Sequence, residues 1–143
     1  MSRRSRAREV VLQILYQDDL NPDRRLSVDE EFLKQRLRGD ETLMDFAKDL
    51  LAGVRRSRRE LDVMLTERAA NWSLQRMAAT DRNVLRLGAY ELLYTDTPDR
   101  VAVNEAVELA KRYGAKQSPQ FVNGILDRLM HESRGRDKSD GAS

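Results

Sequence analysis

Four arginines lie within six positions near the amino terminus, and they are the residues best suited to bind an anionic ligand: Arg3, Arg4, Arg6 and Arg8. A guanidinium group forms bidentate hydrogen bonds with phosphate, and each phosphate that it neutralises releases counterions. Only Glu9 balances these charges locally, although the amino-terminal end of a helix normally favours anionic side chains. A nucleic-acid contact would explain this arrangement, and a solvated basic segment would explain it equally well.

A second candidate binding segment runs from Tyr113 to Gly124, where one predicted helix ends and the next begins. Free backbone N–H groups at the start of a helix can bind phosphate, here after Ser118, with Lys116 as a nearby cation. Phe121 falls at the edge of the apolar stripe of the following helix, where its ring could stack on an unpaired base. The alternative, which position alone favours, is that Phe121 closes the core.

A further arginine cluster lies between residues 55 and 59 and consists of Arg55, Arg56, Arg58 and Arg59. It falls near a predicted helix end, where cations interact favourably with the helix dipole. Glu60 and Asp62 are available nearby as ion-pair partners. We therefore interpret this cluster as a local charge arrangement in preference to a ligand site.

Catalytic and metal chemistry have few candidate residues. The chain has no cysteine and one histidine, His131, which excludes thiol nucleophiles and cysteine-ligated metals and disfavours a histidine-based triad. The adjacent carboxylates Asp18-Asp19 and Glu30-Glu31 would point about 100° apart on a helix and would not share a proton. The sequence predicts no catalytic residue, no metal site and no cofactor, and hence no enzymatic activity.

Composition indicates a charge-rich globular protein with little general attraction to polyanions. The 143 residues include 26 Lys+Arg and 24 Asp+Glu, a net charge of +2, so the distribution of charge matters more than its sum. No apolar run approaches the ~18–20 residues that span a bilayer, and the basic start lacks the apolar segment of a signal peptide. A cytoplasmic location is expected.

Helical spacing of apolar residues dominates the chain and predicts an all-α bundle of six to seven helices. We expect a single domain over residues 1–133, with two three-helix-like lobes at about 1–70 and 71–133. The polar segment 134–143 is expected to be disordered. The predicted helices are about 5–19, from near Ser27 to Gly39, from Asp40 onward with a kink near Ser57, from a cap at Thr80-Asp81 to Tyr94, about 102–113, and from Ser118 onward, with residues 71–73 separating the halves.

The first predicted helix is apolar on two sides. Its main stripe is opposed by Leu12 and Tyr16, which lie four residues apart on the other side. A helix of this kind either packs between two neighbours or presents one side to a partner. Leu12 and Tyr16 are therefore candidates for a partner-binding patch, with burial of Tyr16 against a neighbouring helix as the alternative.

Five groups of motifs follow one another along the chain: ARE (7–9) with LY (15–16), DLLAGV (49–54), VLR (84–86) with YEL (90–92), VAVNEAVELAK (101–111) and FVNGILD (121–127). In this order they resemble the bacterial transcription antitermination factor NusB family, from about residue 3 to residue 130. The resemblance implies an all-α, non-catalytic protein that binds the boxA element of nascent ribosomal RNA. It further implies a heterodimer with the ribosomal protein NusE, which joins RNA polymerase with other Nus factors.

The resemblance also implies roles for particular residues. RNA contacts map onto the amino-terminal arginines and the start of the last helix, and the NusE-facing side includes Tyr16 and Asp81. Ser5 interrupts the basic run, and two glutamines stand where charged residues can occur in the family. The implied RNA contacts are Arg4, Arg6, Arg8, Gln117, Gln120 and Phe121, to which Arg3 and Lys116 are added from the residue analysis.

Two functional hypotheses follow from these observations. The first is a non-catalytic RNA-binding adaptor in transcription antitermination, in which arginines contact phosphates and unpaired bases are read near Phe121. The second is a protein-interaction module, for example a homodimer that buries Leu12 and Tyr16, without specific RNA binding. The sequence leaves open whether the chain is a monomer or a homodimer.

Overall fold

A computed structural model describes residues 2–23, 29–69 and 73–141, with side chains described as far as residue 133. The helices in these ranges are α1 (Arg3–Leu20), α2 (Asp29–Arg36), α3 (Glu41–Arg68), α4 (Ala79–Tyr94), α5 (Asp99–Tyr113) and α6 (Ser118–Gly141), and a short 3₁₀ turn spans Leu74–Arg76. The described ranges contain no strand. The predicted all-α bundle is therefore confirmed.

Side-chain caps define the starts of α1 and α3. The Ser2 hydroxyl accepts a hydrogen bond from the Ser5 N–H at 3.1 Å, and the Asp40 carboxylate accepts one from the Leu43 N–H at 3.1 Å. Each cap satisfies an N–H group that the first helical turn leaves without a partner. The structure has one uninterrupted helix through Ser57, where the sequence predicts a kink, and α3 buries leucines before and after this point.

The central helix is α4, as its nearly all-apolar circumference predicts. It is buried from Asn83 to Leu92 and contacts α1, α3, α5 and α6. The helix begins at Ala79 without a side-chain cap, so the cap predicted at Thr80-Asp81 is wrong. Asp81 lies instead within the first turn, where the helix dipole favours a carboxylate.

Helices α1, α3 and α5 run in the same general direction, and α4 runs antiparallel to them. The order of contacts along α1 shows that α3 and α5 advance with it, whereas α4 runs back past it. The contacts are Arg4 with Phe46 and Asp18 with Arg55 for α3, Ser5 with Glu105 and Glu9 with Arg112 for α5, and Arg8 with Glu91 and Asp19 with Arg82 for α4.

One continuous core connects all six helices. Fully buried leucines come from α2 (Leu33), α3 (Leu61), α4 (Leu85) and α6 (Leu126), and they belong to the same cluster as the buried residues of α1 and α5. This cluster includes side chains from both predicted lobes. Because the side chains of this core are closely packed, the addition or removal of even a small group affects how the helices pack against one another.

Some predictions fall at or beyond the limits of the described residues. The start of the second helix near Ser27 and most of the separator 71–73 lie outside them, and the described part of that helix begins at Asp29. At the carboxyl end, α6 continues to Gly141, whereas the sequence predicts a disordered tail over 134–143. Extension of an existing helix avoids a new nucleation cost, which favours continuation.

Replacement of Gly53 by alanine is expected to destabilise the bundle, because a Cβ atom would overlap the Tyr90 ring where α3 meets α4. Overpacking of this kind typically costs about 1–3 kcal/mol, and urea unfolding measures it as a lower midpoint. Gly124→Ala is the matched control, because its Cβ would meet nothing within 4 Å, and alanine is favoured inside a helix. Equal stability of the two variants would contradict the packing described here.

Candidate nucleic-acid interface

Three arginines of the amino-terminal cluster reach the surface. Arg3, Arg4 and Arg6 are exposed, and Arg3 pairs with Asp40 at the start of α3. The guanidinium carbon of Arg4 lies 4.6 Å from the centroid of the Phe46 ring. Within the described ranges, Arg4 has no carboxylate partner. The start of α1 therefore presents cations that can contact phosphate.

Arg8 points inward, so its guanidinium group does not reach the surface at which the resemblance implies an RNA contact. Its side chain is 4% exposed and forms two hydrogen bonds from Nε to the Glu91 carboxylate, at 2.8 and 3.0 Å. Glu105 lies 3.6 Å from the same guanidinium group. The physical reason is that Glu91 stands on the buried face of the central helix and requires a counter-charge. In the sequence, Glu91 is one of three polar residues that interrupt the apolar wall of this helix, with Asn83 and Arg86, and this was the signal for an internal charge.

Glu9 forms a second buried ion cluster. It is 2% exposed and accepts a hydrogen bond from Arg6 at 3.0 Å and another from Arg112 of α5. The carboxylate thereby holds the carboxyl-terminal part of α5 beside the amino-terminal arginines. Glu9 therefore links α1 to α5 and is not only a counter-charge for the adjacent arginines.

A third ion cluster lies at the carboxyl end of α1. Asp19 accepts hydrogen bonds from Arg82 at 2.7 Å and Asn83 at 2.9 Å, and it also pairs with Arg58 and Arg86. Burial alone would raise the pKa of Asp19, but the hydrogen bonds from Arg82 and Asn83 and the surrounding guanidinium charges hold it below its ordinary value. This cluster joins the end of α1 to α3 and α4.

The turn between α5 and α6 is closed by its own hydrogen bonds. The Ser118 Oγ accepts from the Ala115 N–H at 2.9 Å, and the Ser118 N–H donates to the Ala115 carbonyl at 3.0 Å. Pro119 has no N–H, and the Phe121 N–H donates to a carbonyl of the turn at 3.1 Å. The start of α6 therefore offers fewer free N–H groups than the sequence predicts, because Pro119 has none and the N–H of Phe121 is used within the turn.

Side chains rather than backbone groups remain available at this turn. Lys116, Gln117 and Gln120 are exposed. Gly114 allows the chain to turn tightly, because a Cβ atom there would lie 2.6 Å from the side chain of Ser118. The turn therefore presents one cation and two amides at its surface.

Phe121 and Gln117 border a small pocket of about 180 Å³. Phe121 is half-buried and packs against the core, so the ring closes the core and also lines the pocket. Asp81, which the resemblance assigns to the partner-facing side, lines this pocket as well. The other lining residues are Arg76, Met77, Ala78, Ala115 and Ser118.

A larger groove of about 950 Å³ lies beside the middle of α1. Tyr16 is half-buried in it, and Phe32, Thr80 and Tyr113 also line it. Leu12 borders the groove but is only 3% exposed, which differs from the open patch that the sequence predicts. The reason is that α2 packs along this side of α1.

The arginine surface and the Phe121 pocket lie toward opposite ends of α1. Arg4 and Asp19 are 15 residues apart, which corresponds to ~22 Å along a helix. Arg82 bonds Asp19 and also donates to the carbonyl of Met77, which lines the Phe121 pocket. The structure therefore does not bring the two groups of predicted RNA-binding residues into direct contact.

The carboxyl-terminal end of α5 connects these two regions. Arg112 contacts Glu9 beside the arginine surface, and Tyr113, which is 40% exposed, follows it. Lys116 and Gln117 follow along the chain and are exposed, and Gln117 lines the pocket. Cationic and polar groups thus follow one edge of the molecule from the start of α1 to the start of α6.

The arginine cluster of α3 divides into paired and unpaired members. Arg55 bonds Asp18 and Asp29, and Arg58 bonds Asp19, so their partners come from α1 and α2 rather than from Glu60 and Asp62. The other two members, Arg56 and Arg59, are exposed and have no ion-pair partner within the described ranges.

Within the described ranges, no group of three or more histidine, cysteine, aspartate or glutamate residues is placed to hold a metal ion. In the same part of the chain, no helix combines the length and apolarity needed to cross a membrane.

Comparisons with known proteins point in one direction. The model of the NusB family matches residues 5–131. The transcription antitermination protein NusB of Anaeromyxobacter dehalogenans is 46% identical over 128 residues, which cover 90% of each chain. The solved structure of T. maritima NusB is 38% identical, covers 92% of each chain and superposes with a TM-score of 0.81. A structure of antitermination factors NusB and NusE with double-stranded RNA has a TM-score of 0.82 at 26% identity, covering 92% of this chain and 98% of that one.

Arg4 and Arg8, both on α1, are expected to contribute very differently to the stability of the protein. Arg8→Gln should lower the free energy of unfolding by about 3–5 kcal/mol, because it leaves Glu91 buried without a counter-charge. Arg4→Gln removes an exposed contact with a ring and should cost less than about 1 kcal/mol. Denaturant unfolding of both variants checks this difference, and similar losses would show that Arg8 is not an internal ion-pair residue.

The Asp19 cluster is expected to make stability depend on acid pH. A carboxylate with a lowered folded-state pKa stabilises the protein above its unfolded pKa of about 3.9, and this contribution disappears as pH falls through the folded value. Asp19→Asn should therefore lose about 2–4 kcal/mol at neutral pH, and its difference from the unmodified protein should shrink below pH ~4. Asp49→Asn, at an exposed position of α3, is the control. A difference that is constant across this pH range would contradict the assignment.

Proposed function

The chain belongs to the NusB family, and we propose that it acts in transcription antitermination by binding a boxA-like single strand of nascent ribosomal RNA together with the ribosomal protein NusE. The naming of its relatives as antitermination proteins supports this role. A related structure that contains NusB, NusE and double-stranded RNA supports NusE and RNA as partners.

The observation that carries the proposal is the edge formed by α1, the end of α5 and the start of α6. Arg3, Arg4 and Arg6 supply exposed cations at one end of this edge. Lys116 and the ring of Phe121 stand at the other end. Cations that neutralise phosphates, combined with an aromatic ring on which a base can stack, are the usual components of a single-strand binding surface.

The length of this edge suits an extended polynucleotide. A separation of ~22 Å along α1 corresponds to about six nucleotides at ~3.4 Å per stacked nucleotide. One strand can therefore contact the arginines and Phe121 at the same time, although the protein does not bring these groups together. Unpaired bases are accessible to stacking and to hydrogen bonding on their edges, which allows a sequence to be read.

The proposed partner contact is the groove beside α1. A net charge of +2 gives the isolated chain little general attraction to RNA, so NusE would extend the RNA-binding surface. Tyr16 and Thr80 line the groove, and Leu12 contributes to its wall. Other Nus factors and RNA polymerase would be reached through this complex.

The proposed role needs neither a catalytic group nor a cofactor, because binding alone supplies it. Since bacterial transcription takes place in the cytoplasm, we place the protein there. The alternative role, a homodimeric interaction module without RNA binding, would use the same groove but would not need the arginine surface. The following experiment separates the two.

The double variant Arg3→Gln/Arg4→Gln is expected to weaken binding of a boxA-like RNA in the presence of NusE. Each lost phosphate contact on a single strand lowers the slope of log affinity against log salt concentration by ~0.7, so the slope should fall by roughly 1.4. Titration at several salt concentrations measures it, and a scrambled RNA tests sequence preference.

Arg56→Gln/Arg59→Gln is the matched control, because it removes the same charge from exposed α3 positions without an ion-pair partner in the described ranges. This control should leave the slope unchanged. Identical slopes for both double variants, or equal affinity for boxA-like and scrambled RNA with NusE present, would refute the proposed function.

A further inference from the structure

One carboxylate oxygen of Asp81, Oδ1, has no hydrogen-bond donor in the described part of the protein. This oxygen is shielded from solvent and unpaired, although buried polar atoms in folded proteins almost always have a partner. The dipole of α4 favours a negative charge in this first turn, but it supplies no donor to this oxygen. An unpaired acceptor on a pocket wall is available to a ligand that brings N–H groups.

The pocket around Asp81 has the groups needed to hold a planar base. The ring of Phe121 forms one wall, the exposed Gln117 offers an amide, and Arg76 is an exposed cation at the rim. The volume of about 180 Å³ is below the roughly 300–1,000 Å³ of pockets for drug-sized ligands. It suits one ring system rather than a folded segment of a protein.

We propose that this pocket binds a single unpaired guanine of the RNA, with the Asp81 carboxylate accepting hydrogen bonds from the guanine N1–H and N2–H groups. The base stacks on Phe121, and Arg76 pairs with a neighbouring phosphate. This assignment rests on the proposed RNA-binding function and adds the base that the site selects.

Guanine follows from the chemistry of the acceptor. An ionised carboxylate only accepts hydrogen bonds, and guanine is the RNA base that presents two adjacent N–H donors on one edge. Adenine and cytosine present an amino donor beside a ring nitrogen that accepts hydrogen bonds. This nitrogen would face the second carboxylate oxygen of Asp81, and two acceptors repel each other. Rotation about the terminal torsion of aspartate is soft, so both oxygens can turn toward the base.

The position of Asp81 favours RNA over a protein partner. Asp81 shares its pocket with Gln117 and Phe121, whereas its neighbour Thr80 lines the groove that contains Tyr16. An aromatic ring beside an arginine is a combination that stacks bases and neutralises phosphate. A contact between Asp81 and NusE is the competing outcome of the test.

The test measures the affinity of the full chain for uridine dodecamers that carry one central guanosine, inosine, adenosine or cytidine. Guanosine is expected to bind about tenfold tighter than inosine, which lacks the N2 amino group. This comparison uses the unmodified protein and does not depend on the folding of any variant. Equal affinity for guanosine and inosine would overturn the proposal.

Asp81→Asn should abolish the preference for guanosine, because its amide has one acceptor and adds donors that oppose those of the base. Asp49→Asn makes the same change of charge on α3 and should keep the preference. If Asp81→Asn keeps the preference but weakens NusE binding, Asp81 serves the protein partner and the proposal fails. Absence of salt-dependent binding to every dodecamer and to boxA-like RNA, with NusE present, would instead count against the proposed function itself.

Discussion

The buried ion pair between Arg8 and Glu91 is the contact on which the arrangement of α1, α4 and α5 depends. Both side chains are at most 4% exposed, and Glu105 of α5 lies 3.6 Å from the same guanidinium group. Removal of either charge would leave the other uncompensated in the interior. The pair therefore fixes the position of α1 along α4. The positions of the surface arginines, which lie on α1, are fixed with it.

Internal pairing decides which cations remain available for a ligand. Arg8 is used in the core, and Arg55 and Arg58 join α3 to carboxylates of other helices. Arg4 remains exposed without a carboxylate partner in the described ranges, and Arg3 is exposed although it pairs with Asp40. A protein with a net charge of +2 can therefore carry a localised cationic surface, because its buried carboxylates are neutralised by other arginines.

The start of α4 is where the two proposed binding functions meet. Thr80 lines the groove beside α1, and Asp81, the next residue, lines the pocket that contains Phe121. Adjacent residues on a helix point about 100° apart, so a single turn can serve two separate cavities. RNA and a protein partner bound at these sites would lie side by side, which accounts physically for joint binding without requiring a change of conformation.

The sequence by itself determined the all-α class, the central position of α4 and the approximate limits of most helices, because helical periodicity and turn residues are local properties. It also identified exposed arginines and Phe121 as candidate binding residues. Only the tertiary structure decided that Arg8 is internal, that Leu12 is covered and that Asp81 shares a pocket with Phe121. These outcomes depend on side chains that are far apart in sequence, such as Arg8 and Glu91, which are 83 positions apart. Pairing over such a distance leaves no periodic signal along the chain.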